Sequence, residues 1–187
     1  MKVFYKLLLL ILLIIFCVQI TTLVKNKALY NKPKSFHSVL YLDYKFTEQE
    51  VKYIIQATDD WHEATGKKVT FKVVMLPTEG KIDLRTGIMV LKVDNLDSDI
   101  IALDVMAGKP SILGLCKKYG LIPHIKIVAS RLTMKNYTTV VEHELGHLIG
   151  LEHTEDPTAL MYPSIDIGSS VISEVDIKQF CEKYNCH

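Results

Sequence analysis

The stretch His143-Glu144-Leu145-Gly146-His147-Leu148-Ile149-Gly150-Leu151-Glu152-His153 brings together three histidines, two carboxylates and two glycines within eleven residues. On a helix, His143 and His147 stand four residues apart. Both imidazoles then leave the same face, one turn from each other. Two such nitrogens can meet one Zn²⁺ at about 2.0–2.1 Å. Gly150 sits where that helix must stop, because glycine accepts the left-handed conformation that turns a chain at a helix end. The turn can bring His153 up as a third ligand. Three protein ligands leave the fourth position to water, which is the catalytic arrangement and not the structural one. Zinc lowers the pKa of such a water from about 15.7 to about 7. Glu144, next to the first ligand, is placed to take the water proton and pass it to a leaving amine. The chemistry expected is hydrolysis of a peptide bond, with His143, His147 and His153 on the metal and Glu144 as general base and acid. Val141, Leu145 and Leu148 fall on another face of the same helix and are expected in the core.

The pattern H-E-x-x-H-x-x-G-x-x-H resembles the zinc signature of the metzincins, which carry a Met-turn downstream. Ala159-Leu160-Met161-Tyr162-Pro163 supplies one, with wording similar to the matrixin branch, the matrix metalloproteinase-like peptidases. The resemblance implies Met161 as an apolar floor under the metal and not a ligand. Astacin-like metzincins use a Tyr two positions after the Met as an extra ligand. Here Tyr162 is one position after it, so it is read as structural. The resemblance also implies that Pro163, Ser164 and Ile165 form a wall of the pocket for the residue following the cleaved bond. An upstream edge strand would pair with extended substrate, and Ile112, Leu113, Gly114 and Leu115 are the candidates. Matrixins usually have Ser after the third His and Pro-x-Tyr in the pocket wall, where this chain has Thr154 and Pro163-Ser164-Ile165. Neither a cysteine-switch pro-segment, nor a second structural zinc site, nor haemopexin-like repeats are expected. Calcium is possible but unsupported: Asp94, Asp97, Asp99 and Asp104 lack the EF-hand spacing and read as a solvated loop.

The elements that must position this constellation can be read from periodicity. His37–Tyr44, Val69–Val73, Ile88–Val93, Ile112–Cys116 and Ile125–Ala129 have strand character. Thr47-x-x-Glu50 is a capping box for a helix with Val51, Ile54, Ile55, Thr58 and Trp61 at helical spacing, ended by Gly66. Trp61 is expected in the core. Thr139-x-x-Glu142 can cap the metal-binding helix, and Ser173-x-x-Asp176 caps a last helix whose Ile177 and Phe180 face inward. The order suggests an α+β fold. Together with the family resemblance it implies a metzincin-like, mixed and mostly parallel twisted sheet with an antiparallel edge strand, an active-site helix and a C-terminal helix.

The chain of 187 residues suffices for one domain with a real core. With 22 basic and 21 acidic side chains it lacks the basic excess of a nucleic-acid binder. Lys2 and Lys6 precede the unbroken apolar run Leu7–Val18, the pattern of a secretory signal. No charge occurs from Leu7 to Val24, which is also just long enough for an uncleaved anchor. Residues 1–24 are therefore expected to be a signal peptide or signal anchor, 25–35 a linker and 36–187 the catalytic domain. The protein would be secreted, or held at a membrane through the N-terminal segment only. Cys116, Cys181 and Cys186 follow that segment, so one disulfide and one free thiol are expected. The leading expectation is an exported zinc endopeptidase acting on protein or peptide. The alternative is a catalytically weak or inactive metzincin-like domain that binds peptide or protein.

Overall fold

The computed structural model describes residues 13–21, 32–77, 87–94, 114–117, 123–164 and 171–186. Among these described residues five strands form one sheet: β1 (Phe36–Leu42), β2 (Val69–Met75), β3 (Gly87–Lys92), β4 (Gly114–Lys117) and β5 (His124–Ile127). The spatial order is β2-β1-β3-β5-β4. β1 pairs in parallel with β2, in register Phe36 with Val69, and with β3, in register Val39 with Gly87. β3 pairs in parallel with β5, Met89 opposite His124. Only β4 runs antiparallel, with Gly114 opposite Ile127 and Cys116 opposite Ile125. The sheet is thus mixed, mostly parallel, and closed on one side by an antiparallel edge strand.

Parallel neighbours need a crossover, and α1 (Glu48–Ala64) supplies it between β1 and β2. Its start follows from the capping box: Thr47 N–H donates to the Glu50 carboxylate at 2.7 Å, and Glu50 N–H donates back to Thr47 Oγ1 at 3.3 Å. Its end turns through Gly66 and Lys67, both left-handed at φ 60° and 67°. The inner face buries Ile54, Ala57, Thr58 and Trp61. Leu40 and Leu42 from β1, Val90 from β3 and Ile125 and Ile127 from β5 complete the sheet side of the core. β3 begins one residue earlier than its apolar run predicts, at Gly87. β5 stops at Ile127, because Ala129–Arg131 form a 3₁₀ turn.

The helix that carries His143 and His147, α2 (Met134–Leu148), starts earlier than the Thr139-x-x-Glu142 spacing suggests. Thr133 is its cap, and both the N–H and the hydroxyl of Thr133 donate to Asn136 Oδ1, at 2.7 and 3.0 Å. Thr139 and Glu142 are instead buried inside the helix. The reason is apolar continuity: Tyr137, Val140, Val141, Leu145 and Leu148 all bury on α2, so the helix continues N-terminal to Thr139. Glu142 lies beside Asp60 of α1, and burial together with that second carboxylate pushes its pKa up to about 8. The Trp61 indole donates to the Glu142 backbone carbonyl at 2.9 Å and locks the two helices together.

The last helix, α3 (Glu174–Lys183), begins at Ser173 as its spacing predicts. Ile177 and Phe180 pack inward. Cys181 pairs with Cys186, and Cys116 on β4 is not part of that disulfide. Residues 13–21 are helical with Leu13, Phe16 and Val18 exposed. Among the described residues no helix is long and apolar enough to cross a membrane. Asp97, Asp99 and Asp104 lie outside the described residues.

Candidate metal centre

The i, i+4 spacing on α2 sets His143 and His147 edge to face, with ring centroids 4.8 Å apart. Gly150, at φ 102°, then turns the chain out of the helix. Leu151 N–H donates back to the Gly146 carbonyl at 2.9 Å, and the returning chain presents His153 to the other two rings. The Nε2 atoms of His143 and His153 are 3.2 Å apart, and those of His147 and His153 are 3.1 Å apart. Two nitrogens bound to one tetrahedral zinc are separated by about 3.3–3.4 Å, given bonds of about 2.0–2.1 Å. The spacing therefore fits a single small cation.

The ring tautomers fit as well. His143 Nδ1 lies 2.9 Å from the Leu160 carbonyl and His147 Nδ1 lies 3.0 Å from the Leu151 carbonyl. A carbonyl can only accept, so each Nδ1 carries the proton and each Nε2 keeps its lone pair for the centre. Burial lowers the His143 pKa to about 4, and His147 and His153 push in the same direction against the Leu160 bond. The ring is therefore neutral at physiological pH, the state a ligand needs. Among the described residues, these three histidines are the group that could hold a metal ion. His37, His62 and His124 are not part of it; His62 Nδ1 instead bonds the Val69 carbonyl at 2.7 Å.

Glu144 follows the first of these histidines and is buried against the edge strand. Burial raises its pKa to about 8, partly opposed by a hydrogen bond from the Cys116 backbone N–H. Its Oε2 has no partner among the described residues. The close fit depends on Gly114: a Cβ there would lie 2.5 Å from Glu144 Oε1. Thus β4, the sheet edge, abuts the carboxylate through the one residue type that leaves room.

The turn at Met161 packs beneath α2. Met161 is fully buried. A Cβ at Gly146 would overlap its Sδ and come within 3.2 Å of Trp61. The turn is fastened at both ends. Thr154 N–H donates to the Met161 carbonyl at 3.0 Å. The buried Asp176 carboxylate accepts from Leu160 N–H at 2.9 Å and Met161 N–H at 3.1 Å, as well as from Ser173 N–H and hydroxyl at 2.8 and 2.7 Å. Pattern alone identifies Asp176 only as a cap partner. Its second task, across sixteen residues, leaves no local signal. Of the expected substrate-binding residues, Gly114 and Leu115 lie on β4, and Pro163 and Ser164 follow the turn. Ile112, Leu113 and Ile165 lie outside the described residues.

Comparison with known proteins places this site in a family. The chain is similar to the macrophage metalloelastase of Oryctolagus cuniculus, 31% identical over 143 residues that make up 70% of this chain. It is also similar to the matrilysin of Felis catus, 40% identical over 52 residues. The matched regions are 28% and 20% of those relatives' own lengths. In fold it is similar to the crystal structure of an archaemetzincin from Methanopyrus kandleri, with TM-score 0.52, 14% identity, and 80% of this chain and 95% of that one covered. The matrixin family model matches residues 31–185, nearly the whole described domain, and this chain belongs to the matrixin family.

Proposed function

We propose that this chain is a zinc-dependent endopeptidase, with His143, His147 and His153 as zinc ligands and Glu144 as general base and acid. The observation that carries the reading is the convergence of three Nε2 atoms, two of them on rings whose Nδ1 is already committed to a carbonyl. Zinc, when held there, supplies a Lewis acid for the peptide carbonyl and a more acidic water. Glu144 takes the proton of the attacking water as the new C–O bond forms. It returns that proton to the amine nitrogen as the C–N bond breaks. Glu144 must be ionised for the first step. Its burial opposes this, and a cation held by the three imidazoles favours it. Met161, fully buried under the site, acts as an apolar floor.

The substrate is an extended peptide. β4 stands last in the sheet order and offers it an edge through Gly114 and Leu115, with Gly114 against Glu144. Ile112 and Leu113 would continue that edge, and Pro163, Ser164 and Ile165 would wall the pocket beyond the cleaved bond. Export is part of the same reading. Lys2, Lys6 and the Leu7–Val18 run support a signal peptide or anchor, and the Cys181–Cys186 disulfide suits an oxidising compartment. The test is cleavage of a mixed peptide library by zinc-loaded protein, read by mass spectrometry. Products should form with the wild type and be absent with Glu144→Ala and with added chelator. A folded, zinc-loaded wild type that cuts nothing in the library would favour a peptide-binding domain instead.

A further inference from the structure

His143 and His147 share one helix, so helix geometry sets their separation. His153 has no such support. It follows the left-handed Gly150 and lies in a stretch, residues 151–154, without regular secondary structure. Its approach to the other rings must therefore be set by contacts from elsewhere in the fold. Leu151 is held from the helix side, its N–H on the Gly146 carbonyl and its own carbonyl on His147 Nδ1. Thr154 is held by the Met161 carbonyl. Between them stands Glu152, whose side chain is 82% exposed and only 4.0 Å from Lys183, too loose a pair to hold a backbone.

What holds Glu152 is α3. Its N–H donates to Gln179 Oε1 at 2.6 Å, and Gln179 Nε2 donates to its carbonyl at 3.0 Å. The side-chain amide thus satisfies both backbone groups of one residue, as a neighbouring strand would. The Glu152 carbonyl and the His153 N–H belong to the same peptide plane, so the clamp orients the backbone from which the third imidazole springs. Flanking contacts from the same helix end reinforce it: Lys183 Nζ donates to the Gly150 carbonyl, and the Tyr184 hydroxyl donates to the Ile149 carbonyl at 3.0 Å.

The geometry points to Gln179 as the positioning residue of the third zinc ligand. This rests on the zinc reading above. The Glu152 backbone lies near the surface, and water can replace the lost bonds if Gln179 is removed. Water restores the hydrogen bonds but not the orientation. The signature is therefore a weakened metal site in a protein of nearly unchanged stability.

The test uses the full chain with Gln179→Met, which keeps the length and removes both polar atoms. A second variant, Gln179→Glu, keeps the acceptor for Glu152 N–H and loses the donor. Lys178→Ala, on the exposed side of the same helix, is the control. Zinc release into excess chelator is timed, the visible spectrum of the cobalt(II)-substituted protein is recorded, and the metal-free Tm is measured. Loss of an outer partner of a metal ligand weakens binding by about 10–100-fold; acting through one peptide, Gln179→Met should release zinc about tenfold faster. Gln179→Glu should fall between it and the wild type, Lys178→Ala should match the wild type, and the cobalt bands should change only in the two Gln179 variants. Wild-type release and an unchanged cobalt spectrum in Gln179→Met would overturn the proposal. So would faster release accompanied by a matching fall in metal-free Tm, which marks a merely structural role. A wild type that takes up no zinc would overturn the functional reading itself, and this inference with it.

Discussion

Asp176→Asn tests how the turn beneath the metal site is held. The carboxylate is fully buried and accepts four hydrogen bonds, three on Oδ2 and one on Oδ1. Asparagine keeps the volume, so no cavity complicates the result. Its amide oxygen can still face Leu160 N–H and Ser173, but its NH₂ then meets Met161 N–H, donor against donor. Bonds to a charged acceptor contribute about 1.5–3 kcal/mol and neutral ones about 0.5–1.5, so each surviving bond weakens by about 1 kcal/mol. The bond to Met161 is lost and leaves a buried N–H unsatisfied, at about 1–3 kcal/mol more. These terms sum to about 4–6 kcal/mol; relaxation of the turn recovers part of that, leaving a net loss of about 3–4 kcal/mol. For a domain of this size that lowers Tm by about 6–16 °C. Urea unfolding and a thermal melt of the metal-free protein measure it. A loss below about 1 kcal/mol would show that the carboxylate does not carry these bonds.

Gly146→Ala should destabilise the protein by about 1–3 kcal/mol through overpacking against Met161 and Trp61, although alanine is the better helix former; a gain in Tm would refute that contact. Gly114→Ala should displace Glu144, lowering kcat with KM and zinc content little changed, and lower Tm. In a Glu144→Ala background the same change should instead stabilise, by about 0.4–1 kcal/mol, because only the backbone effect remains; equal effects in both backgrounds would exclude the steric link. Glu142, raised by burial and Asp60 to about 8, gives a pH dependence. Between the ordinary carboxylate range and pH 8 the unfolded chain ionises this group and the folded one does not, so stability falls as pH rises through that window. Glu142→Gln should flatten the Tm profile of the metal-free protein there, and parallel profiles would contradict the shift.

Much of the site is legible in the sequence because its signals are local. Histidines four apart need only a helix, and a glycine after them needs only a turn. The strand-forming Val, Leu and Tyr of β1, the apolar alternation of β2 and the caps at Thr47 and Ser173 are local as well. The start of α2 is not legible locally, since Thr139 and Glu142 imitate a capping box while the buried face runs back to Tyr137. Contacts across long separations left no pattern to read. The Cys116 N–H on Glu144, the Asp176 carboxylate on the Met161 turn and the Gln179 amide on Glu152 all join distant segments. Cysteine pairing was open for the same reason. Only the turn at the end of α3 shows Cys181 and Cys186 meeting, with Cys116 left on β4.

The most direct test of the account is a zinc titration of metal-free protein, with turnover of one cleavable peptide followed at each addition. Three converging imidazoles predict no turnover at the start, a linear rise, and a plateau at one equivalent of zinc. Turnover in the metal-free protein, or none after a full equivalent is bound, would contradict it.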